Sequence, residues 1–219
     1  EMDPESLMRD MLAGGFCGLK PYLNNVPVHI PTEEVCIFDF LPHEHLRLAD
    51  KHGWVVMLHI PRAKRLCDPM NIAQLMEIEQ KYPNVRLIVA HIGRAYAPED
   101  IGNAFGTLGK SERMLFDFAA NTLDTAMSAC LDAVGPKRLM FGSDLPITKM
   151  RMYRIAENGV YYNVVPRGLY GDISCDAHMR ETDEPDVTCF MYEELLAFKR
   201  AAQKAGLTRA ETELVLGGN

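Results

Sequence analysis

The 219-residue chain has no apolar run of about 18 residues, so nothing in it reads as a transmembrane helix, and neither end shows a signal-peptide pattern. Its six cysteines, Cys17, Cys36, Cys67, Cys130, Cys175 and Cys189, never form a Cys-x-x-Cys pair, which removes zinc ribbons and thioredoxin-like redox motifs. Reduced thiols in a cytoplasmic protein are the expectation; three disulfides in a secreted protein are the alternative. Positive charge is in deficit, 23 Lys and Arg against 30 Asp and Glu, a formal net charge of −7. That balance gives no broad attraction to nucleic acid or anionic membrane, and neither is expected as a partner. There is no repeat of fixed period and no low-complexity segment. Ser143 sits in Phe-Gly-Ser-Asp and lacks the Gly-x-Ser-x-Gly elbow of a serine hydrolase.

What is present is an ordinary globular composition, 47% hydrophobic and 24% charged, long enough for a substantial core and expected as one domain over 1–219. Short apolar runs at 16–19, 54–59, 85–91, 114–118 and 138–141 read as buried strands. Helical spacing fills the gaps: 4–13 behind the cap Asp3, 42–51, 69–82 behind Asp68-Pro69, 98–108 and 123–134. In the 69–82 helix Ile72, Leu75 and Met76 form the expected buried stripe. The Asn24-Asn25 pair is expected to break regular structure, and 24–40 reads as a loop over the site. Strict βα alternation makes a parallel sheet. Residues 147–188 break the pattern and read as a long active-site loop or lid, before helices from about Cys189 and Thr208.

Three of these strands end on polar residues: 54–59 on His59, 85–91 on His91, and 138–141 just before Gly142-Ser143-Asp144. Parallel strands place their C-terminal ends on one side, where α/β active sites lie, so the three should converge as one metal-sized cluster. Imidazole and carboxylate are ligands for zinc or a similar ion. Each also has an ordinary role: a strand-end histidine can satisfy backbone groups, and Asp144 can cap a turn. His43-x-His45 has ligand-like spacing, but residues two apart on a helix face apart.

With Gly-Phe-Cys-Gly-Leu-Lys (15–20), Val-Val-Met-Leu-His-Ile (55–60), Val-Arg-Leu-Ile-Val-Ala-His-Ile-Gly (85–93), Leu-Phe-Asp-Phe (115–118) and Leu-Met-Phe-Gly-Ser-Asp-Leu-Pro (139–146), the sequence resembles the metal-dependent amidohydrolase superfamily. The branch it resembles also holds non-oxidative decarboxylases and lactonases. The resemblance implies an α/β (β/α)8 TIM barrel with the five strands as its fourth to eighth, the first strands and their His-x-His-like ligands missing. An open sheet with unsatisfied edges near Phe16 and Leu139 follows from that expectation. Those edges would be covered by preceding residues or by a second copy in a homo-oligomer.

It further implies a metal-dependent hydrolase of a small, carboxylate-bearing substrate, using one divalent ion, zinc by expectation, held by His59 and Asp144. His91 and Asp144 would do the proton work, with His91 open as a second ligand. Lys20, Arg62, Arg94 and Arg167 are candidate substrate-binding cations, and Tyr161, Tyr162 and Tyr170 could close the pocket. Lys20 has three open fates: carboxylation, substrate contact, or an ion pair with Asp117. A metal-dependent decarboxylase and a non-catalytic binding protein on the same scaffold are the alternatives.

Overall fold

The computed structural model describes residues 2–23 and 26–219, so the Asn24-Asn25 pair lies outside the described residues. Five short strands, β1 (Gly18–Leu19), β2 (Val55–Leu58), β3 (Arg86–Val89), β4 (Leu115–Asp117) and β5 (Leu139–Met140), form one all-parallel sheet in chain order. Val56, Leu58, Val89, Phe116 and Leu139 are fully buried, as the continuous apolar runs require of strands covered on both faces. Gly18 permits the first pairing: a Cβ there would meet the Val55 carbonyl oxygen at 2.9 Å.

Local signals account for the helices between the strands. Asp3 accepts from the backbone N–H groups of Glu5 and Ser6 and opens Pro4–Gly14, which Gly15 ends in the left-handed conformation. Asp68 accepts from Met70 and Asn71 with Pro69 at the first position, opening Pro69–Lys81. That helix buries Asn71, Gln74, Leu75 and Ile78, whereas Ile72 and Met76 are only half-buried. The polar pair is inside because it serves loop backbone: Gln74 Oε1 accepts from Ile37 N (2.8 Å) and Asn71 Nδ2 donates to Arg65 O (2.8 Å). Asp124–Val134 packs on the same core, and Phe190–Lys204 joins it through Phe198, which stacks on Phe118 at 4.8 Å between ring centroids.

Three expectations need correction. The single helix over 98–108 is two short pieces, a 3-10 turn Pro98–Asp100 and a helix Phe105–Leu108. Asp100 holds the N–H groups of Tyr96 and Ala97, and Gly102 takes φ +48° between the two pieces. The edge at β5 is not bare: Phe141 N donates to Val215 O (2.9 Å), and Asn219 Nδ2 donates to Leu139 O (2.7 Å). Thr208 caps the last helix, Arg209–Glu213, and the π-turn Leu214–Gly218 then delivers those groups.

The third correction concerns 147–188, which is not an irregular loop. It holds a second sheet of β6 (Tyr153–Glu157), β7 (Val160–Pro166) and β8 (Met179–Thr182), in that order, antiparallel between β6 and β7 and parallel between β7 and β8. Asn158 and Gly159, both at positive φ (52° and 77°), make the two-residue turn that matches strand twist in a hairpin.

Candidate active site

Lys20, His59, His91, Asp117 and Asp144 all follow or end strands of the parallel sheet at their C-terminal side. His59 and His91 meet: Nε2 to Nε2 is 3.0 Å, with ring centroids 4.9 Å apart. The backbone that presents His91 is unusual. His91, Ile92, Gly93 and Arg94 take φ of 57°, 48°, 58° and 57°, one left-handed turn directly after β3. Gly93 fits because its missing Cβ would stand 2.6 Å from Leu66 Cδ1.

The turn after β4 holds His91 in place. Asp117 Oδ1 accepts from His91 N and Ala119 N, both at 3.0 Å. His91 Nδ1 lies 2.6 Å from the Ala119 carbonyl oxygen, to which it can only donate, leaving Nε2 as the ring atom that faces His59. Asn121 Nδ2 donates to His91 O and to Ala95 O, each at 3.0 Å. The Ala120 N–H donates to Glu194 Oε2 (2.9 Å) from the helix Phe190–Lys204.

Burial depresses the His59 pKa to about 4, helped by repulsion from His91, Lys20 and Arg94 and opposed by Asp144. At neutral pH it is an uncharged nitrogen donor. Asp117 is pushed up by burial against the pull of His91 and two N–H groups, and Glu194 is pushed up to about 8 by burial. His59 Nδ1, Asp117 Oδ2 and Glu194 Oε1 are buried without partners among the described residues.

The imidazole pair fits a divalent ion only in part: two Nε2 atoms about 2.1 Å from one ion stand about 3.0 Å apart at right angles but about 3.4 Å apart at the tetrahedral angle of zinc, and the 3.0 Å contact is equally a hydrogen bond between the rings. Among the described residues, moreover, no three His, Cys, Asp or Glu side chains gather as a metal cage. The expected single cluster of His59, His91 and Asp144 is therefore not formed. Asp144, at φ 44° in the loop beyond β5, acts on His59 by charge.

The cations divide. Lys20 is exposed over the Tyr22 ring (5.7 Å) rather than against Asp117, and Tyr22 in turn stacks on His59 (5.9 Å). Arg94 joins Tyr22, Leu23 and His59 around a cavity of about 190 Å³. Arg62 is turned away: it donates to Glu34 O (3.0 Å) and pairs with Asp68 (3.7 Å). Arg167 lies on the outer face, held by Asp183 (2.7 Å) and Glu181 (2.9 Å), so its expected place in the pocket is corrected. Tyr170 accepts from Arg151 N (2.7 Å), and Tyr162 lies under Arg180 (3.4 Å). His43 and His45 bond separately, to Tyr82 Oη (2.7 Å) and Met2 O (2.8 Å).

Sequence reasoning passed over Glu194, whose place among inward-facing Phe190, Ala197 and Phe198 was readable from helical spacing. It also passed over Arg154 and Tyr96, which no motif marks.

A strand-end site on a parallel sheet with alternating helices defines an α/β protein of the kind that works at its strand C-termini. The model of the amidohydrolase family matches residues 4–159, and the chain belongs to that family. It is similar to a solved amidohydrolase from Burkholderia multivorans (14% identity, TM-score 0.57, 99% of this chain and 68% of that one). It is also similar to 4-oxalomesaconate hydratase from Rhodopseudomonas palustris (15% identity, TM-score 0.54, 98% of this chain and 57% of that one). At these identities the likeness concerns the fold. No curated protein sequence matches the chain.

Proposed function

We propose that this chain is a metal-dependent hydrolase acting on a small carboxylate-bearing substrate, and that its five parallel strands are the fourth to eighth of a (β/α)8 barrel. The observation that carries the reading is the His59–His91 contact of 3.0 Å between two Nε2 atoms at the strand ends, with Asp144, in the loop beyond β5, acting on His59 by charge. His59, with Asp144 brought in from the loop beyond β5, would hold one divalent ion, zinc by donor type. Bound there, the ion would supply Lewis acidity toward a substrate carbonyl and toward water.

The chain's own groups have separate tasks in this reading. His91, its Nδ1–H committed to Ala119, moves a proton at Nε2. Lys20 and Arg94 neutralise the substrate carboxylate, and segment 147–188 covers the mouth as a lid. A cytoplasmic setting belongs to the same proposal: all six cysteines are free thiols. No described helix is long and apolar enough to cross a membrane.

Zinc titration with metal analysis tests the reading. His59→Ala and Asp144→Ala should lower metal content and activity together, and His91→Ala should lose activity while keeping most metal. Equal metal loss in all three would make His91 a ligand; no metal uptake by the parent chain would leave a binding protein. Product analysis on lactones, amides and carboxylated aromatics separates the chemistries: oxygen from labelled water in the product marks a hydrolase, carbon dioxide release a decarboxylase.

A further inference from the structure

Glu194 is fully buried on the inward face of the helix Phe190–Lys204, among Phe190, Ala197 and Phe198. Its Oε1 has no partner among the described residues, and its Oε2 accepts from the Ala120 N–H (2.9 Å). A carboxyl enclosed on one hydrogen bond is costly, so that bond is the feature to account for.

The Ala120 N–H and the Ala119 carbonyl are the two ends of one peptide unit. That carbonyl accepts from His91 Nδ1 (2.6 Å), so an unbroken line runs from the helix carboxyl through a single peptide to the imidazole. The units on either side are held by other groups. Asp117 Oδ1 takes the Ala119 N–H (3.0 Å), Arg154 Nη1 donates to the Ala120 carbonyl (2.8 Å), and the Asn121 N–H donates to Phe118 O (3.1 Å). The middle unit rests on His91 and Glu194.

Ala120 has φ 49°, a left-handed backbone that a residue with a Cβ adopts at a cost. Rotating the 119–120 unit by half a turn would carry that φ to about −130°, in the broad β region, and leave the neighbouring units in place. The strained orientation is therefore the one its hydrogen bonds select. Rotated, the unit would present its N–H to His91 Nδ1, which could then only accept, and the ring proton would sit on Nε2 facing His59.

We propose that Glu194 is a positioning residue for His91: its oxygen holds the 119–120 peptide unit in the orientation that keeps the ring proton on Nδ1 and leaves Nε2, toward His59, without one. Ionised or protonated, the carboxyl keeps an acceptor for the Ala120 N–H, so the device is an acceptor at a fixed place rather than a charge. It rests on the proposed function only in taking His91 as a working group, since the bond pattern needs neither metal nor substrate.

Long-range proton–nitrogen NMR spectra of the metal-free full chain, carrying isotope-labelled histidine at mildly alkaline pH, report which nitrogen of each neutral ring is protonated. Loss of signals in His91→Gln assigns those of His91. The parent chain and Glu194→Gln, whose amide oxygen can still accept, should show His91 protonated at Nδ1. Glu194→Met, similar in size but with no acceptor, should lower the ratio of Nδ1–H to Nε2–H forms about tenfold, the worth of one buried hydrogen bond. A ratio unchanged in folded Glu194→Met, an Nε2–H form in the parent chain, or a shift as large in Glu194→Gln as in Glu194→Met overturns the proposal. Should Glu194→Met not fold by circular dichroism, Glu194→Asp, a methylene too short to reach the Ala120 N–H, takes its place under the same criteria. A chain that takes up no zinc overturns the hydrolase reading and leaves this measurement standing, so the two fail separately.

Discussion

The two sheets of this protein are held by different forces. Strands of two to four residues make up the parallel sheet, buried at its centre, half-buried at the β1 edge, and fixed by apolar contact with their neighbours. Strands of four to seven residues make up the second sheet, mostly half-exposed, and polar contacts bind them: Arg154 clamped by Tyr96 and Tyr161, Arg180 over Tyr162, Arg167 between Glu181 and Asp183. Burial ties the first sheet to the global stability of the fold. The second sheet has only a small cluster of its own, Met152 and Val165 against Ala120 and Phe190, and can open by itself.

The largest expected effect lies under the parallel sheet. Gly93→Val combines a left-handed φ of 58° with a Cβ 2.6 Å from Leu66 Cδ1 and 3.1 Å from Ile60 Cδ1. A loss of about 2–5 kcal/mol follows from the two costs together, seen as a lower midpoint in urea for the whole chain. If only the second sheet melts, the division between the two regions is wrong.

An intermediate effect sits at their junction, at Glu194. Its folded pKa, about 8, is raised above the ordinary value of 4.5. The native state therefore binds the extra proton between those values, and stability falls as pH rises from about 4.5 to about 8. Glu194→Gln should flatten that slope, adding stability of a few kcal/mol above pH 8, as urea melts across the range would show. The same slope in both proteins would move the cause elsewhere.

The smallest effect belongs to the hairpin. Gly159 has φ 77° but room for a Cβ, the nearest atom being 3.6 Å away on Glu99. Gly159→Ala should cost about 1–2 kcal/mol, spent locally. Amides of β6 and β7 should exchange faster while those of β2 and β3 keep their protection; uniform loosening would show that the sheets open as one.

The same difference decided what could be read from the sequence. Val55 to Leu58 and Leu87 to Val89 announce themselves because a strand covered on both faces must be apolar throughout. The second sheet shows no such run, since Arg154, Asn163, Arg180 and Glu181 point into polar contacts, yet Asn158-Gly159 between Tyr-Arg-Ile-Ala-Glu and Val-Tyr-Tyr-Asn-Val-Val was a hairpin signal in plain view. The histidine pair was legible because strand direction alone brings strand ends together. Which arginines face the site was not. Arg62 and Arg167 found carboxylates or carbonyls on their own side of the chain, and that pairing depends on side chains distant in sequence.

The left-handed turn His91–Arg94 also limits how this protein can be improved. Only one of its four residues is glycine, and the other three each bear roughly 1–2 kcal/mol of backbone cost. Substitutions chosen to restore preferred backbone angles would score best at this turn, and they would swing the His91 ring away from His59. A search for thermostable variants should therefore hold residues 91–94 constant and spend its changes on exposed pairs such as Arg167 with Asp183, which touch neither imidazole.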